Sequence, residues 1–425
     1  MTRAHPQVVL LGINYPPEPT GISPYTGALA SGLTRRGYPA AAITTHPHYP
    51  DWRVRDGYGQ WTRHDLVDGV PVRRLRHFVP RRPRGVARAI SELSFGLRLA
   101  LTPWGKPDAV VAVSPALFSS AVAAFRAGLT HRDVPFIVWV QDLYTQGMTE
   151  FQGKASLFVR GVRAVERWLL QRADRVVVIH DRFVPRVRDD LGVSADRIAV
   201  IRNWAHLAPM LPADIVAVRA SLGWAEDETV VLHSGNMGMK QGLENVIEAA
   251  RMADERQERV RFVLMGDGSA RATLQKLGTG VHSLSLLPPL DDAGFAAALQ
   301  AADVLLVNER PGVAEMAVPS KLTSYFSAGR PVLAATDPDG ITAEEIRNAG
   351  AGVIVPAGDP SALLDGAMTL AADTNRCALY GRSALEYRQT VLSADFAIDT
   401  FARLIDAACE SGSEDNDDAS VHSRV

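Results

Sequence analysis

The sequence predicts an α/β protein with two doubly wound parallel sheets, each covered by helices. Three observations predict it. Short apolar runs alternate with helical patterns over most of the chain, the signature of parallel strands buried on both faces. The runs fall into two sets of similar size, separated by a polar, proline-bearing stretch. The length, 425 residues, exceeds one ordinary domain, and 47% hydrophobic against 22% charged residues leaves enough apolar side chains for two cores.

In chain order, the first set predicts strands at Val8–Ile13, Ala40–Thr44, Ala109–Ser114, Phe136–Gln141, Arg175–Ile179 and Ile198–Ile201. The first of these follows the N-terminus with no small-residue cleavage site behind it, so no secretory leader is expected. The stretch between Asp108 and Arg126 carries no charge, but Ser114-Pro115 and Ser119-Ser120 interrupt it. A strand, a turn and a buried helix are expected there rather than a membrane span. The second set predicts strands at Val230–Ser234, Arg261–Met265, Ser283–Leu287, Val304–Asn308, Pro331–Ala335 and Gly352–Val355. The domains then read as 1–205 and 226–392, with a linker at 206–225 around Pro209 and Pro212. A last helix is expected over 393–409, and the acidic tail 410–425 is expected to be disordered.

A net charge of −2 gives no global pull toward nucleic acid. Cys377 and Cys409 cannot form a disulfide framework, and a reducing cytoplasm suits them. In open α/β sheets ligands sit beyond the carboxyl ends of the strands. Two such domains facing each other are expected to enclose a cleft that excludes water from a reaction between two bound molecules.

The strand-exit loops carry the candidate chemistry. Asn14-Tyr15-Pro16-Pro17-Glu18-Pro19-Thr20-Gly21 delays the first helix, and Gly21 allows an anion to approach free backbone N–H groups. A tight turn is the bland alternative, and Gly12-Ile13-Asn14 lacks the second glycine of a dinucleotide fingerprint. Ser234-Gly235-Asn236-Met237-Gly238-Met239-Lys240-Gln241-Gly242 repeats the arrangement more strongly. Its glycines and Lys240 beside a helix start make a diphosphate cradle, with a solvated surface loop as the alternative. Gly266-Asp267-Gly268 is a second close-approach loop, weak alone.

Glu315 and the run Pro319-Ser320-Lys321-Leu322 could hold sugar hydroxyls and phosphate oxygens, or simply cap a helix. Asp142, ending an apolar strand, is a candidate general base or a turn cap, and His180 is a minor candidate. Arg73, Arg74, Arg76, Arg81, Arg82, Arg84, Arg88 and Arg98 crowd one segment among Phe78, Leu93, Phe95 and Leu97. That pattern suggests an anionic lipid surface or a phosphorylated acceptor, against a solvated loop and core helix.

Taken together these pieces resemble a known group. The chain is similar to glycosyltransferase family 4 enzymes of the GT-B fold, two Rossmann-like domains facing across a cleft, of the colanic acid and O-antigen type. The matching pieces are Pro16 to Gly21, His48-Tyr49-Pro50-Asp51-Trp52-Arg53, Gln141-Asp142-Leu143, Ile201-Arg202-Asn203-Trp204, Ser234 to Gly242, Gly266-Asp267-Gly268 and Val318 to Leu322. They stand in family order over about residues 8 to 400.

The resemblance implies a retaining transferase that needs no bound metal and no cofactor beyond its nucleotide-sugar co-substrate. It implies a donor held near Asn236, Lys240, Gly268, Pro319, Ser320 and Lys321, approached by Gly21. Asp142 and Glu315 become the catalytic candidates. The acceptor, often linked to polyprenyl diphosphate in this subgroup, would dock on the first domain. Arg81, Arg82, Arg84 and Arg88 are then the acceptor or membrane contacts, on the inner face of the plasma membrane.

The chain departs from the family in three places. Asn236 stands where many members have arginine. Gln241 separates Lys240 from the following glycine. Ser324 occupies the position of the second glutamate of a pair, with Met316 eight positions earlier. Two rival readings follow: a sugar-nucleotide epimerase on the same plan, which would turn over without acceptor, and a silent nucleotide-sugar-binding scaffold, which the thinned glutamate pair favours.

Overall fold

The computed structural model describes residues 5–19, 21–81, 85–114, 116–144, 157–204, 210–312 and 320–422. The chain divides into two compact units, Met1–His206 with Ala394–Val425, and Leu207–Ser393.

The first unit holds strands β1 (Val8–Leu11), β2 (Ala40–Thr45), β3 (Thr62–Val67), β4 (Val70–Leu75), β5 (Ala109–Ser114), β6 (Phe136–Val140), β7 (Arg175–Val178) and β8 (Ile198–Val200). Their order is β3-β4-β2-β1-β5-β6-β7-β8, parallel throughout except for the β3–β4 pair. Helices α1 (Ser23–Arg35), α2 (Val86–Leu101), α3 (Leu117–Thr130) and α4 (Leu157–Arg172) follow in sequence. Strands β1, β5 and β6 are buried at every position, as continuous apolar runs in a sheet covered on both faces require. The uncharged stretch after Asp108 is β5 and α3, and among the described residues no helix is long and apolar enough to cross a membrane.

The second unit begins with α5 (Ile215–Leu222) and contains β9 (Thr229–Asn236), α6 (Glu244–Arg256), β10 (Val260–Asp267), α7 (Arg271–Leu277) and β11 (Leu284–Leu287). It continues through α8 (Asp292–Ala301), β12 (Val304–Asn308), α9 (Ser320–Ser327), β13 (Val332–Thr336), α10 (Ile341–Ala349), β14 (Gly352–Pro356), α11 (Pro360–Ala372) and α12 (Thr374–Thr390). The sheet is fully parallel, in order β11-β10-β9-β12-β13-β14. Alternate residues of β9 feed opposite faces: Val230 and Leu232 pack with Tyr325 and Phe326, and Val231 packs with Val246 and Ile247.

Two expectations need correction. The arginine-rich segment is partly a hairpin: β3 and β4 turn through Asp68 and Gly69, both at positive φ, as an Asp-Gly turn does. Arg74 lies inside that hairpin's base, fully buried, 2.6 Å from Asp65 and donating to the carbonyl of Thr45, so it offers nothing to a lipid surface. The stretch expected as a linker around Pro209 and Pro212 with a polar helix-like piece carries α5. Asp214 caps α5 by accepting from Ala217 N–H at 3.1 Å, and Arg219 ties the helix to Asp303 at 3.0 Å. The last helix, α13 (Ala394–His422), belongs to the first unit and runs on through the acidic stretch that was expected to be disordered. Extending a helix that packing has already nucleated costs far less than starting one.

Candidate active site

In the second sheet the chain steps from β9 outward to β10 and β11, then returns to place β12 on the other side of β9. The crevice beyond the ends of β9 and β12 is therefore the switch point where ligands bind in such sheets. The loop 236–242 lies there. Gln241 Oε1 accepts from Gly238 N–H at 3.0 Å, closing the tight turn Met239–Gln241 that carries Lys240. Asn308, at the end of β12, donates to the carbonyls of Gln241 (2.7 Å) and Gly242 (3.0 Å) and is itself held by Asn245 at 2.9 Å. The backbone of Lys240 accepts from Arg310 N–H at 2.9 Å. The lysine thus rises, exposed, from a fixed loop just before α6. Gln241 explains itself: it supplies the hydrogen bond that shapes the turn. Gly268 has φ +155, and a Cβ there would lie 2.6 Å from the carbonyl oxygen of Met237, so the two loops can meet only through glycine. Asn236 is exposed beside it.

Lys321, in the first turn of α9, places Nζ 3.5 Å from Nε2 of His233 on β9. Burial pushes the Lys321 ammonium down to about 8, against the pull of the Glu309 carboxylate. His233 is fully buried, and desolvation, then Lys321, hold its imidazole neutral. Glu309, which sequence reasoning missed, accepts from Thr342 Oγ1 at 2.6 Å and from Thr336 Oγ1. Its signal was available: like Asn236 and Asp267, it is a polar residue at the exit of an apolar strand. Glu315 and Pro319 lie outside the described residues, as does the side chain of Ser320, which begins α9. Ser324, at the expected second-glutamate position, is buried within α9.

The first unit has its own switch point, between β1 and β5. Beyond β1, Glu18 gathers the loops: its carboxylate accepts from His48 N–H (2.8 Å), Tyr49 N–H (2.9 Å) and Asn14 Nδ2 (2.7 Å). This one buried group joins the Pro16-to-Gly21 and His48-to-Arg53 pieces. Gly21 stands exposed at φ +70, its missing Cβ 3.4 Å from the Tyr49 ring. Asn203 donates to Gln141 at 2.7 Å and Trp204 stacks on Trp139, so two further pieces are structural partners.

Asp142 is exposed at the end of β6. Close to it in the chain, Tyr144 N–H donates to Glu166 at 2.6 Å and its hydroxyl lies 3.4 Å from Glu92. Glu92 is buried, and desolvation lifts it to about 7 despite Arg88 at 3.3 Å. Arg88 is therefore turned inward, toward Glu92 and the Tyr144 ring. His180 is packed within the unit. Arg81 is exposed; Arg82 and Arg84 lie outside the described residues.

Two doubly wound parallel sheets in one chain, each with a glycine-bearing loop beyond its switch point, define the GT-B class. Comparison with known proteins specifies the family. Residues 20–204 match the family model described as a Glycosyl transferase 4-like domain, and residues 228–373 match Glycosyl transferases group 1. A protein of Escherichia coli (strain K12) that carries the name of a colanic acid biosynthesis glycosyl transferase, WcaI, is 31% identical over 76% of this chain and 81% of its own. WbjE of Pseudomonas aeruginosa, named as a glycosyltransferase, is 25% identical over 66% of this chain and 70% of its own. The solved structure of Anabaena Alr3699/HepE in complex with UDP superposes with a TM-score of 0.69 at 16% identity, covering 94% of this chain and all of that one. The chain belongs to the glycosyltransferase family that these two domains define, and it is a glycosyltransferase.

Proposed function

We propose that the protein transfers a hexosyl or deoxyhexosyl unit, with retention, from a nucleotide-diphosphate sugar to a hydroxyl of a glycan. In this reading the glycan is carried on a lipid and destined for a surface polysaccharide, such as an exopolysaccharide or O-antigen. The observation that carries the reading is the grouping of Lys240, Lys321 and the loop 236–242 around the ends of β9 and β12. HepE, solved with UDP and with UDP-glucose, supports a nucleotide-sugar donor for the same fold.

The chemistry follows from charge. The bond from the anomeric carbon to the diphosphate oxygen breaks, and its electron pair leaves with the nucleotide diphosphate. Lys321, Lys240, the loop N–H groups and the start of α6 meet that growing negative charge, so no resident metal is required in this proposal. The acceptor hydroxyl attacks from the face the leaving group vacates, and the departing phosphate oxygen takes its proton, which dispenses with a protein nucleophile. Asp142 and Glu315 are proposed to position acceptor and sugar hydroxyls. The protein would act in the cytoplasm, peripheral to the inner face of the plasma membrane.

A thermal-shift panel of UDP, GDP, ADP and dTDP with their common sugars tests the donor site, with Lys240→Ala alongside. One nucleotide is expected to stabilise the protein, by about 2.7 kcal/mol at a hundredfold excess over Kd. The shift should shrink in the variant. Silence with every nucleotide would remove the donor assignment and favour the scaffold reading.

A further inference from the structure

The first unit contains a large groove that the donor chemistry does not use. It holds about 1450 Å³ between the loop 51–61, the exit of β4 and the outer side of α2. Five arginines line it, Arg53, Arg55, Arg76, Arg81 and Arg98, against two carboxylates, Asp51 and Asp56, an excess of three positive charges. Arg53, Arg76 and Arg81 form no ion pair with any described residue. Arg98 is fixed: its guanidinium lies 3.7 Å from the centre of the Trp61 ring and donates to the Trp61 carbonyl at 2.7 Å. Several cations around one groove, three of them without an ion-pair partner among the described residues, call for an anion with several acceptor oxygens.

The same groove has an apolar wall. Trp61 is 67% exposed and Leu101 80%, and Phe78 and Leu97 are exposed beside them. Leu97 and Leu101 close a stripe on α2 that continues through Leu93, Ile90 and Val86, all exposed. At 100° per residue these five side chains fall within about 80° of arc. The opposite side of α2, with Phe95 and Leu99, is already buried in the core. The helix therefore turns an apolar face outward where a surface helix normally presents polar groups. A soluble anion would satisfy the arginines and leave this stripe in water; an anionic amphiphile satisfies both.

We propose that this groove binds the phosphate headgroup of a lipid-linked acceptor, with the lipid chain running along Trp61, Phe78, Leu97 and Leu101 and the stripe of α2 seated in the membrane surface. The inference rests on the glycosyltransferase reading for the word acceptor, but the lipid site stands or falls by itself.

Flotation of the full-length protein tests it, using vesicles of phosphatidylcholine alone, with added phosphatidylglycerol, or with added polyisoprenyl phosphate at equal surface charge. The protein should float with the polyisoprenyl phosphate vesicles, less with phosphatidylglycerol and not with phosphatidylcholine. The double variants Arg76→Glu/Arg81→Glu and Leu97→Ser/Leu101→Ser should each weaken that binding by on the order of tenfold. Unchanged thermal melts and an unchanged nucleotide-induced shift in both variants show that the fold and the donor site are intact. Equal binding to both anionic vesicles, or binding indifferent to both variants, overturns the headgroup site. So does stabilisation by inorganic phosphate without vesicle binding, or a dimer that Leu97→Ser/Leu101→Ser dissolves in place of vesicle binding. Vesicle binding that persists when no nucleotide shifts the protein would instead sink the donor reading and leave the groove standing.

Discussion

Single residues show how burial decides chemistry that a sequence leaves open. Glu92 titrates near 7 because desolvation outweighs Arg88, whereas unfolded it would titrate near 4.5. The folded state holds its proton over that interval and the unfolded state does not, so stability falls as pH rises from 4.5 to 7. Glu92→Gln should remove a penalty on the order of 3 kcal/mol at pH 8 and flatten the fall, as read by urea denaturation across pH. Lys321 behaves in the opposite sense. Its ammonium, pushed down to about 8, is lost from the free protein as pH rises through that value. Nucleotide-diphosphate affinity should therefore drop between pH 7 and pH 9. Lys321→Arg, which stays charged, should level the profile in calorimetric titrations. The residue types were legible in the sequence; their proton affinities were not, because no local pattern reports how much water a side chain keeps.

At the scale of elements, every strand expected from an apolar run is present, and the two that were missed, β3 and β4, lack a continuous apolar run. β3 lies at the sheet edge with alternating exposure, so it has no continuous run to read. Its one clear signal was the Asp68-Gly69 turn. Burial of Arg74 could not be inferred, since its partner Asp65 reaches it only through the antiparallel register of the hairpin. The loop 236–242 was legible as a glycine-bearing strand exit by composition, yet its shape depends on Asn308, far away in the chain. Gly268 shows the same dependence. Gly268→Ala should force the Met237 carbonyl away, lower stability by about 1–3 kcal/mol and weaken nucleotide binding along with it. A variant that binds nucleotide as wild type would show that the two loops need not touch.

At the scale of the whole molecule, the chain's end completes its beginning. Phe401 packs edge-on against Trp139 at 4.9 Å, Ile398 fills the space above Gly32, and Arg36 bridges Asp395 and Asp399. Ile398, Phe401 and Ile405 are fully buried, and each is worth about 2–5 kcal/mol to such a core. Their sum approaches the entire stability of a domain. A chain ending at Ser393 should lose the folded first unit while the second still unfolds cooperatively, visible as one missing transition in calorimetry. A chain ending at Ser411 should keep both.

The sequence by itself determined the α/β class, the two sets of parallel strands and the loops that carry glycine and lysine. These features are local: buried strands need continuous apolar runs, and tight turns between a strand and a helix need glycine. Only the tertiary structure decided that the last helix serves the first unit, that Arg74 and Arg88 turn inward and that Arg53, Arg76 and Arg81 share a groove with an apolar stripe. Each of those outcomes depends on contacts between residues distant in the chain, where packing and desolvation outweigh local preference.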